Sequence, residues 1–268
     1  MTYPILLNYM NLPKITIITI SFNAVKTIEQ TILSVINQTY SNIEYIIIDG
    51  CSTDGTIDII KKYSNQITTW ISEPDKGIYD AMNKGINVAS GEWINFMNSG
   101  DSFYNNNVIK EFIDKISPNT EIAYGDTMIL HTLGNYIKKP KPLNQILKKM
   151  IFGHQATFIK AQLHKKYIFD TNFRSSADYN FFYKMYNQKH LFQYIPIVVT
   201  NYDATSGMST DNYHIVKRED AIIQGKTNFI HRIIVELNIC IFYFKQSIKK
   251  ILPQEIIAQK FKLTHHIK

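Results

Sequence analysis

Apolar residues follow two alternating spacings along the first hundred residues. Short segments rich in β-branched, aromatic and other apolar residues at 14–20, 44–48, 67–71 and 93–97 predict strands. Between them, apolar residues recur every three or four positions at 28–36, 55–63 and 78–88, which predicts helices. This alternation predicts an α/β fold with a central, mostly parallel sheet that is flanked by helices.

The alternation weakens after residue 101. Segments 121–129, 153–159 and 191–199 favour strand, 175–186 favours helix, and the chain beyond residue 213 is helical and basic. Because no linker separates these segments, we predict one domain over residues 14–212, with halves at 14–101 and 102–212. A basic helical extension over 213–268 follows it.

Polar segments follow the predicted strands at their carboxyl ends, where open α/β sheets bind their ligands. They occupy residues 21–23, 49–52, 73–77 and 98–101. The sequence lacks a glycine-rich dinucleotide fingerprint, a phosphate-loop pattern and the spacings of zinc ligands. These absences argue against nicotinamide, P-loop and zinc chemistry.

The formal net charge of +7 favours anionic partners, such as nucleic acid, phosphorylated small molecules or an acidic membrane surface. Residues 226–268 hold eight Lys and Arg against two Glu, a surplus of six that accounts for most of the charge. Because these residues lie in the tail and are not interleaved with an aromatic platform on the sheet, we expect no nucleic-acid binding.

Targeting signals are absent from the sequence pattern. Cys51 and Cys240 lie far apart and indicate reduced thiols in a reducing compartment. Residues 1–11 lack the pattern of a signal peptide, and no run of about 18 apolar residues predicts a membrane-spanning helix. We expect a cytoplasmic protein that is at most peripheral on the inner face of the cell membrane.

Four segments in this order closely resemble the inverting family-2 glycosyltransferases, which have the GT-A fold. The segments are Thr19-Ile20-Ser21-Phe22-Asn23, Ile48-Asp49-Gly50-Cys51-Ser52-Thr53-Asp54-Gly55-Thr56, Glu73-Pro74-Asp75-Lys76-Gly77-Ile78-Tyr79-Asp80-Ala81-Met82-Asn83-Lys84-Gly85 and Phe96-Met97-Asn98-Ser99-Gly100-Asp101. The resemblance covers residues 14–210, and the third segment is similar to a bacterial branch that builds capsule, exopolysaccharide or lipopolysaccharide. It implies transfer of a sugar from a nucleoside-diphosphate sugar to a hydroxyl acceptor, here a glycan or lipid-linked glycan. Residues 14–101 would then be the nucleotide-binding half and 102–212 the acceptor half.

The resemblance implies that the first two segments bind the nucleoside. Ser21 and Asn23 would line the base and ribose pocket, and Asp49 would accept a hydrogen bond from the base or a ribose hydroxyl. Ser52 and Asp54 would complete the second loop. Asp49 and Asp54 also fit ordinary turn and helix-cap positions, and that alternative stays open.

The third and fourth segments would contact the rest of the donor. Lys76 precedes a helix, and a cation beside a helix N-terminus suits a diphosphate. Asp80 and Asn83 are three residues apart and share a helix face, so we expect both to point at one ligand. Ser99 and Gly100 join the donor site. The alternative for Lys76 is a solvated surface lysine.

Asp101 is the candidate metal ligand. Relatives usually carry an acidic D-x-D-like motif here, whereas this chain has Asn98-Ser99-Gly100-Asp101, so that one carboxylate remains. The resemblance implies a divalent cation, Mn²⁺ or Mg²⁺, with oxygen ligands that neutralises the departing diphosphate. The alternative is that Asp101 caps the following helix.

Asp178 is the candidate catalytic base, since an inverting transfer needs a group that takes the proton of the acceptor hydroxyl. It lies where relatives place an acidic motif, often Glu-Asp, and Ala177 replaces the Glu. Alternatively, Ser175 as N-cap and Asp178 three residues later form a variant capping box, and a helix dipole there would not raise the basicity of a carboxylate.

Two further segments resemble acceptor-side parts of the family. Gly153-His154-Gln155 implies that His154 and Gln155 contact the acceptor or the diphosphate, although a lone histidine also fits a satisfied core position. Ser209, in a glycine-containing segment, would belong to a flexible loop that closes over the donor, and its alternative is an ordinary turn.

The tail and two rival functions complete the expectations. Apolar residues at 229, 230, 233, 234 and 237 recur at helical spacing and precede three lysines, which is typical of a helix in an anionic membrane interface. The same stripe also fits packing on the domain. A nucleotidyltransferase would need a Gly- and Arg/Lys-rich loop that is missing after the first strand, and the depleted acidic motif makes a non-catalytic nucleotide-sugar binder the other alternative.

Overall fold

A computed structural model describes residues 12–203 and 212–265 of the chain. The strands are β1 Ile15–Ser21, β2 Ile43–Asp49, β3 Thr69–Ser72, β4 Trp93–Phe96, β5 Ser102–Phe103, β6 Ile122–Leu130, β7 Tyr136–Lys138, β8 Thr157–Lys160 and β9 Phe192–Asp203. The α-helices are α1 Ile28–Ile36, α2 Thr56–Lys62, α3 Ile78–Val88, α4 Val108–Ile113, α5 Ala161–Lys166, α6 Ala177–Asn187, α7 Tyr213–Ile223, α8 Phe229–Ile251 and α9 Gln254–His265. Short 3₁₀ helices cover Ser64–Gln66, Leu143–Leu147 and His154–Ala156.

The strands form one sheet in the order β3-β2-β1-β4-β8-β6-β9-β5, with β7 paired to β6. The first four strands along the order, β3, β2, β1 and β4, are all parallel. Further along, β8 is antiparallel to both β4 and β6, whereas β6 and β9 are parallel. The predicted α/β fold is confirmed, and its parallel half is the half with alternating strands and helices.

Strand β1 shows why the sequence folds as a layered sheet. All seven residues of the strand are buried. Ile15 and Ile17 pack with α1 and α4 on one face, while Ile18 and Ile20 pack with α3 and α6 on the other. Full burial of one such side chain contributes about 1.5–3 kcal/mol, so a two-sided apolar strand is strongly held.

Helix α3 lies very close to the sheet, and this proximity needs a glycine. A Cβ atom at Gly85 would lie 2.6 Å from Cγ2 of Ile18. Only a residue without a side chain allows this close approach of α3 to β1.

The second half departs from its predicted elements. Residues 153–159 were expected as strand, but a 3₁₀ helix precedes β8. The side-chain amide of Asn95 in β4 donates to the carbonyls of both Gln155 and Thr157, which holds the chain in that turn. The helix expected at 175–186 begins at Ala177, and the short strands β5 and β7 were not predicted.

The helical tail contacts the domain at both its ends. At its start, Gln224 of α7 donates to the carbonyl of Lys148 at 3.0 Å, and within the tail Tyr213 of α7 stacks on Phe242 of α8 with ring centroids 3.7 Å apart. In α9, Phe261 stacks on His131, and His265 stacks on Tyr136. The end of the tail therefore contacts the β6–β7 hairpin. Whether 213–268 is a separate unit, as predicted, stays a prediction.

One face of α8 remains exposed despite this packing. Phe229, Leu237, Phe244 and Ile251 are 77%, 57%, 67% and 84% exposed. Ile239, on the opposite face, is buried. Within residues 12–203 and 212–265, no helix is both long and apolar enough to span a membrane.

Candidate functional site

The loops after β1 and β2 are hydrogen-bonded to each other at the carboxyl edge of the sheet. The backbone N–H of Asn23 donates to Oγ of Ser52 at 2.8 Å, and the N–H of Thr53 donates back to Oδ1 of Asn23 at 3.0 Å. Asn23 has a φ of +46°, a left-handed conformation that Asn tolerates better than most residues. We call residues 21–25 and 49–56 the nucleoside loops.

Asp49 lies beneath the nucleoside loops and does not face solvent. Its side chain is fully buried. One carboxylate oxygen accepts from the hydroxyls of Ser21 at 2.9 Å and Ser52 at 2.5 Å, and the other accepts from the N–H of Ser52 at 2.9 Å and the hydroxyl of Ser72 at 2.8 Å. Asp49 therefore joins the ends of three strands, and in this conformation it positions Ser21 and Ser52.

Asp54 accepts hydrogen bonds at the start of α2, which agrees with the alternative of a turn or helix-cap residue. Its Oδ1 accepts from both the N–H and the hydroxyl of Thr56, and its Oδ2 accepts from the N–H of Val25 at 3.0 Å. These bonds, above all that from the Thr56 hydroxyl, lower the pKa of Asp54. The N-cap position itself is Gly55, with φ of +101°.

The expectation that Asp80 and Asn83 point at one ligand is wrong. The side-chain amide of Asn83 donates to the carbonyl of Phe169 and accepts from its N–H, both at 2.9 Å. Asp80 instead accepts from the N–H of Lys76 at 3.1 Å and lies 3.7 Å from the ammonium of Lys84. The side chain of Lys76 is exposed at the turn before α3.

A tight turn at residues 98–101 carries the candidate metal ligand. The N–H of Asp101 donates to the carbonyl of Asn98 at 2.9 Å, and Gly100 adopts φ of +102°. Thr31 of α1 fixes the turn, since its Oγ1 accepts from the N–H of Gly100 and donates to the carbonyl of Asp101. The alternative that Asp101 caps a helix is wrong, because α4 begins at Val108 with Asn107 as N-cap.

The Asp101 carboxyl group is buried, and no cationic side chain of the described residues stabilises its charge. It is 7% exposed, and Gln155 donates to its Oδ2 at 2.8 Å. Burial, with a smaller contribution from the negative charge of Asp203, raises its pKa to about 7, although the bond from Gln155 acts in the opposite direction. A carboxylate held in this way gains from a cation beside it.

The oxygen atoms at this turn fit a divalent cation. Oδ1 of Asn98 and Oγ of Ser99 are buried, and neither has a hydrogen-bond partner among the residues that the structure describes. Such oxygens, with one carboxylate, are donors that Mg²⁺ and Mn²⁺ accept when other ligands come from a diphosphate and water. In the described part of the chain, no group of three or more His, Cys, Asp or Glu side chains forms a metal site.

Asp178 lies at the start of α6 and is held by a tyrosine. The hydroxyl of Tyr79 in α3 donates to its Oδ1 at 3.0 Å, and its own neighbour, Tyr179, donates its N–H at 2.8 Å. Burial raises the pKa of Asp178 and outweighs these bonds. The capping-box alternative is wrong, because the N-cap of α6 is Ser176 and makes no side-chain cap.

Glu219 of α7 accepts the backbone N–H groups just before α6, where a capping residue close in sequence was expected. Its carboxylate accepts from the N–H groups of Arg174, Ser175 and Ser176 at 2.6, 2.9 and 2.8 Å. Glu219 is itself buried. It thus fixes the three residues before the helix that carries Asp178, from a position more than forty residues further along the chain.

Two consecutive residues connect Asp178 to Asp101. Gln155 donates to Asp101, while Nδ1 of His154 lies 3.8 Å from Oδ2 of Asp178. Burial lowers the pKa of His154 to about 4, so the ring is neutral at pH 7 and this contact is not an ion pair. Its Nε2 is buried and has no hydrogen-bond partner within residues 12–203 and 212–265. We call Asp101, His154, Gln155 and Asp178 the reaction centre.

The sequence profile described as Glycosyl transferase family 2 matches residues 16–195, more than half of the chain. The match spans both the nucleoside loops and the reaction centre as far as β9. The chain belongs to glycosyl transferase family 2.

Related family-2 sequences come from several bacteria. The chain is 28% identical over 208 residues to a PGL/p-HBAD biosynthesis glycosyltransferase of Mycobacterium bovis (strain BCG / Pasteur 1173P2), covering 75% of this chain and 80% of the relative. It is 34% identical over 178 residues to an uncharacterized glycosyltransferase of Mycobacterium tuberculosis (strain ATCC 25618 / H37Rv), covering 63% and 67%.

Solved structures confirm the GT-A fold of this family-2 member. S. aureus TarS 1–349 in complex with UDP-GlcNAc superposes with a TM-score of 0.64 at 19% identity, covering 78% of this chain and 66% of that one. The mannosyltransferase PcManGT of Pyrobaculum calidifontis, in complex with GDP-Man and Mn²⁺, gives 0.63 at 17% identity, covering 80% and 64%. The chain spans about two thirds of the length of each.

Three residues of the site were not predicted individually. Tyr79 lies one helical turn before Asn83, so the face chosen for Asn83 also indicated Tyr79. Asp203 and Glu219 carry no local signal, because their contacts come from distant segments. The predicted loop residue Ser209 lies outside the described residues.

Proposed function

We propose that this family-2 glycosyltransferase moves one sugar, with inversion, from a nucleoside-diphosphate sugar to a hydroxyl group of a glycan. The observation that carries the proposal is the reaction centre itself. Two carboxyl groups with raised pKa values, the buried Asp101 and the half-buried Asp178, are bridged by the adjacent side chains of Gln155 and His154. Perturbed carboxyl groups that converge on one place are typical of catalytic sites.

Asp178 would act as the general base. The acceptor oxygen forms a bond to the anomeric carbon while the bond from that carbon to the diphosphate breaks, and the hydroxyl proton passes to Asp178. Burial makes the carboxylate a stronger base than an exposed aspartate. The Tyr79 hydroxyl binds Oδ1 of Asp178. The other carboxylate oxygen, Oδ2, therefore points toward His154.

The donor would lie across the nucleoside loops, with its diphosphate at the 98–101 turn. The UDP-GlcNAc and GDP-Man complexes of the two structural neighbours support a nucleotide-sugar ligand. Asp101, with the oxygens of Asn98 and Ser99, would hold a divalent cation, which supplies the charge that stabilises the departing diphosphate. Ser21 and Asn23 would contact the nucleoside, and Asp49 would position Ser21 directly and Asn23 through Ser52.

A lipid-linked bacterial surface glycan is our proposed acceptor, reached at an anionic membrane surface. The exposed apolar face of α8 supports this location, because Phe229, Leu237 and Phe244 lie on it together. Its surroundings are basic, so that lipid phosphates complement the charge whereas a second copy of the chain would repel it.

Vesicle co-sedimentation tests the membrane location. We expect the protein to bind vesicles that contain phosphatidylglycerol, and the double variant Leu237→Gln/Phe244→Gln to lose this binding. Ile137→Gln, at an exposed apolar position of β7, is the control. Wild-type protein that stays unbound would rule out the membrane location and leave the transfer reaction unaffected.

A thermal-shift screen of UDP, GDP, CDP and dTDP, each with and without Mn²⁺, tests the donor. A ligand of the folded state raises the midpoint by mass action. We expect one nucleotide to raise it in a cation-dependent manner, with the effect lost in Asp101→Asn and kept in Asp178→Asn. Absence of a shift with all four nucleotides would contradict the proposed donor class.

A further inference from the structure

Four lysines lie close together on the acceptor side, outside the reaction centre. They are Lys138 at the end of β7, Lys141 and Lys149 in the loop that follows, and Lys217 in α7. We call them the lysine cluster. None of them belongs to the donor site described above.

The fold brings these lysines together through two contacts. The N–H of Lys141 donates to the carbonyl of Ile151 at 3.2 Å, which closes the loop that carries Lys141 and Lys149. Gln224 of α7 donates to the carbonyl of Lys148 at 3.0 Å, which holds α7 against the same loop. The cluster is therefore built from three separate segments.

The like charges of the cluster repel one another. Contact with the ammonium of Lys141 lowers the pKa of Lys149, and the charges of Lys217 and Lys138 lower it further. Loss of solvent and the charge of Lys141 also lower the pKa of Lys138, although much of this side chain is exposed. In the part of the chain that the structure describes, Lys217 pairs with Asp220 at 3.1 Å, and the other three form no ion pair. This excess of positive charge favours a bound anion.

The segments that carry the cluster contact the helix of the candidate base and the residue before it. The hydroxyl of Tyr179, the residue after Asp178, donates to the carbonyl of Ile146 within the lysine-bearing loop at 2.9 Å. Asp220, the partner of Lys217, accepts from the hydroxyl of Ser176 at 3.2 Å. The same elements that fix the start of α6 therefore hold the lysine cluster.

We propose that the lysine cluster binds a phosphate or diphosphate group carried by a ligand on the acceptor side. Lysine ammonium groups suit phosphate as mobile point charges, and several converging from different segments match its multiple oxygens. Assigning that phosphate to a phosphorylated acceptor rests on the proposed function, whereas the anion site itself does not. The alternative source is a phospholipid headgroup.

Calorimetric titration with inorganic pyrophosphate tests the site in the full-length protein. The buffer contains EDTA, so that cation-dependent binding at the 98–101 turn does not contribute. We expect Lys141→Ala/Lys149→Ala to weaken pyrophosphate binding at least about tenfold, since two charge-assisted contacts are lost.

The control removes the same charge elsewhere. Lys110 and Lys115 are exposed at α4, which packs on the opposite face of the sheet from Ile146. Lys110→Ala/Lys115→Ala should change the affinity by less than about twofold. Wild-type affinity in Lys141→Ala/Lys149→Ala, or an equal loss in the control, would overturn the proposed site.

Vesicle binding distinguishes the two sources of the phosphate. Vesicles of phosphatidylcholine with about 30% phosphatidylglycerol serve as the membrane probe. If Lys141→Ala/Lys149→Ala loses pyrophosphate but still binds these vesicles, the cluster takes the phosphate of a soluble or acceptor-linked ligand. If it loses both, the cluster takes a lipid headgroup. Pyrophosphate binding without any response to nucleotides would instead contradict the proposed function and leave the cluster standing.

Discussion

The carboxylates of the nucleoside loops and of the reaction centre differ in how many hydrogen bonds they accept. In the nucleoside loops, Asp49 is fully buried but accepts four hydrogen bonds from hydroxyl and backbone donors. In the reaction centre, Gln155 is the one donor to the Asp101 carboxylate in the described part of the chain, and burial raises the pKa of Asp101 to about 7. Saturated carboxylates fix a structure, whereas undersupplied carboxylates are poised for a cation or a proton, at a cost in stability.

The largest expected effect follows from neutralising Asp101. The folded carboxyl ionises only near pH 7, whereas the unfolded one ionises near 3.8, so the folded state loses stability as the pH rises from about 4 to about 7. Asp101→Asn lacks this loss and should be more stable than wild type by up to about 4 kcal/mol at pH 8. Urea unfolding at pH 4 and pH 8, without divalent cations, measures the difference.

The comparison fails if Asp101→Asn is less stable than wild type at pH 8. The advantage should disappear near pH 4, where the wild-type carboxyl is protonated in the folded protein. A constant difference at both pH values would show that it arises from packing and not from charge.

The same substitution at Asp49 should act in the opposite direction. Asparagine replaces one carboxylate oxygen by an NH₂ group, which cannot accept the hydrogen bonds that this oxygen accepted. The hydroxyl donors can rotate away, but the backbone N–H of Ser52 cannot. We expect Asp49→Asn to lower the free energy of unfolding by about 3 kcal/mol. Equilibrium unfolding at pH 7 checks it, and wild-type stability would break the contrast between the two regions.

A smaller effect is expected at Tyr79. Its hydroxyl lowers the pKa of Asp178, so Tyr79→Phe should raise that pKa and move the rising limb of the pH–rate profile to higher pH. At a pH below this limb, the rate of Tyr79→Phe should be about tenfold lower than that of wild type. Tyr45→Phe is the control, because it removes a buried hydroxyl contact, to Thr19, in the core on the other face of the sheet from Tyr79. An unchanged limb in Tyr79→Phe would contradict the coupling.

Sequence reasoning reached the parallel half well because its signals are local. Strands β1 and β2 show apolar runs that end in polar loops, and this pattern is visible within each segment by itself. It reached the reaction centre in part. Asp101, His154, Gln155 and Asp178 were named, but the bridge through Gln155 depends on strand β8 lying beside β4.

The remaining parts depend on contacts that are distant in sequence. Asn83 was expected to face a ligand, yet its partner is the backbone of Phe169. Glu219 lies in a basic tail, and its role as the cap before α6 exists only once α7 packs there. A helix face or a turn can be read locally, but the partner that meets it cannot.

Single-turnover transfer by Asp178→Asn, measured with donor binding on the same samples, tests the central claim most directly. With the donor identified in the nucleotide screen, we predict a rate lowered by about a thousandfold, within the usual contribution of a general base. The cation-dependent donor shift should stay at the wild-type value. Transfer at a near-normal rate by correctly folded Asp178→Asn would contradict its role as the base.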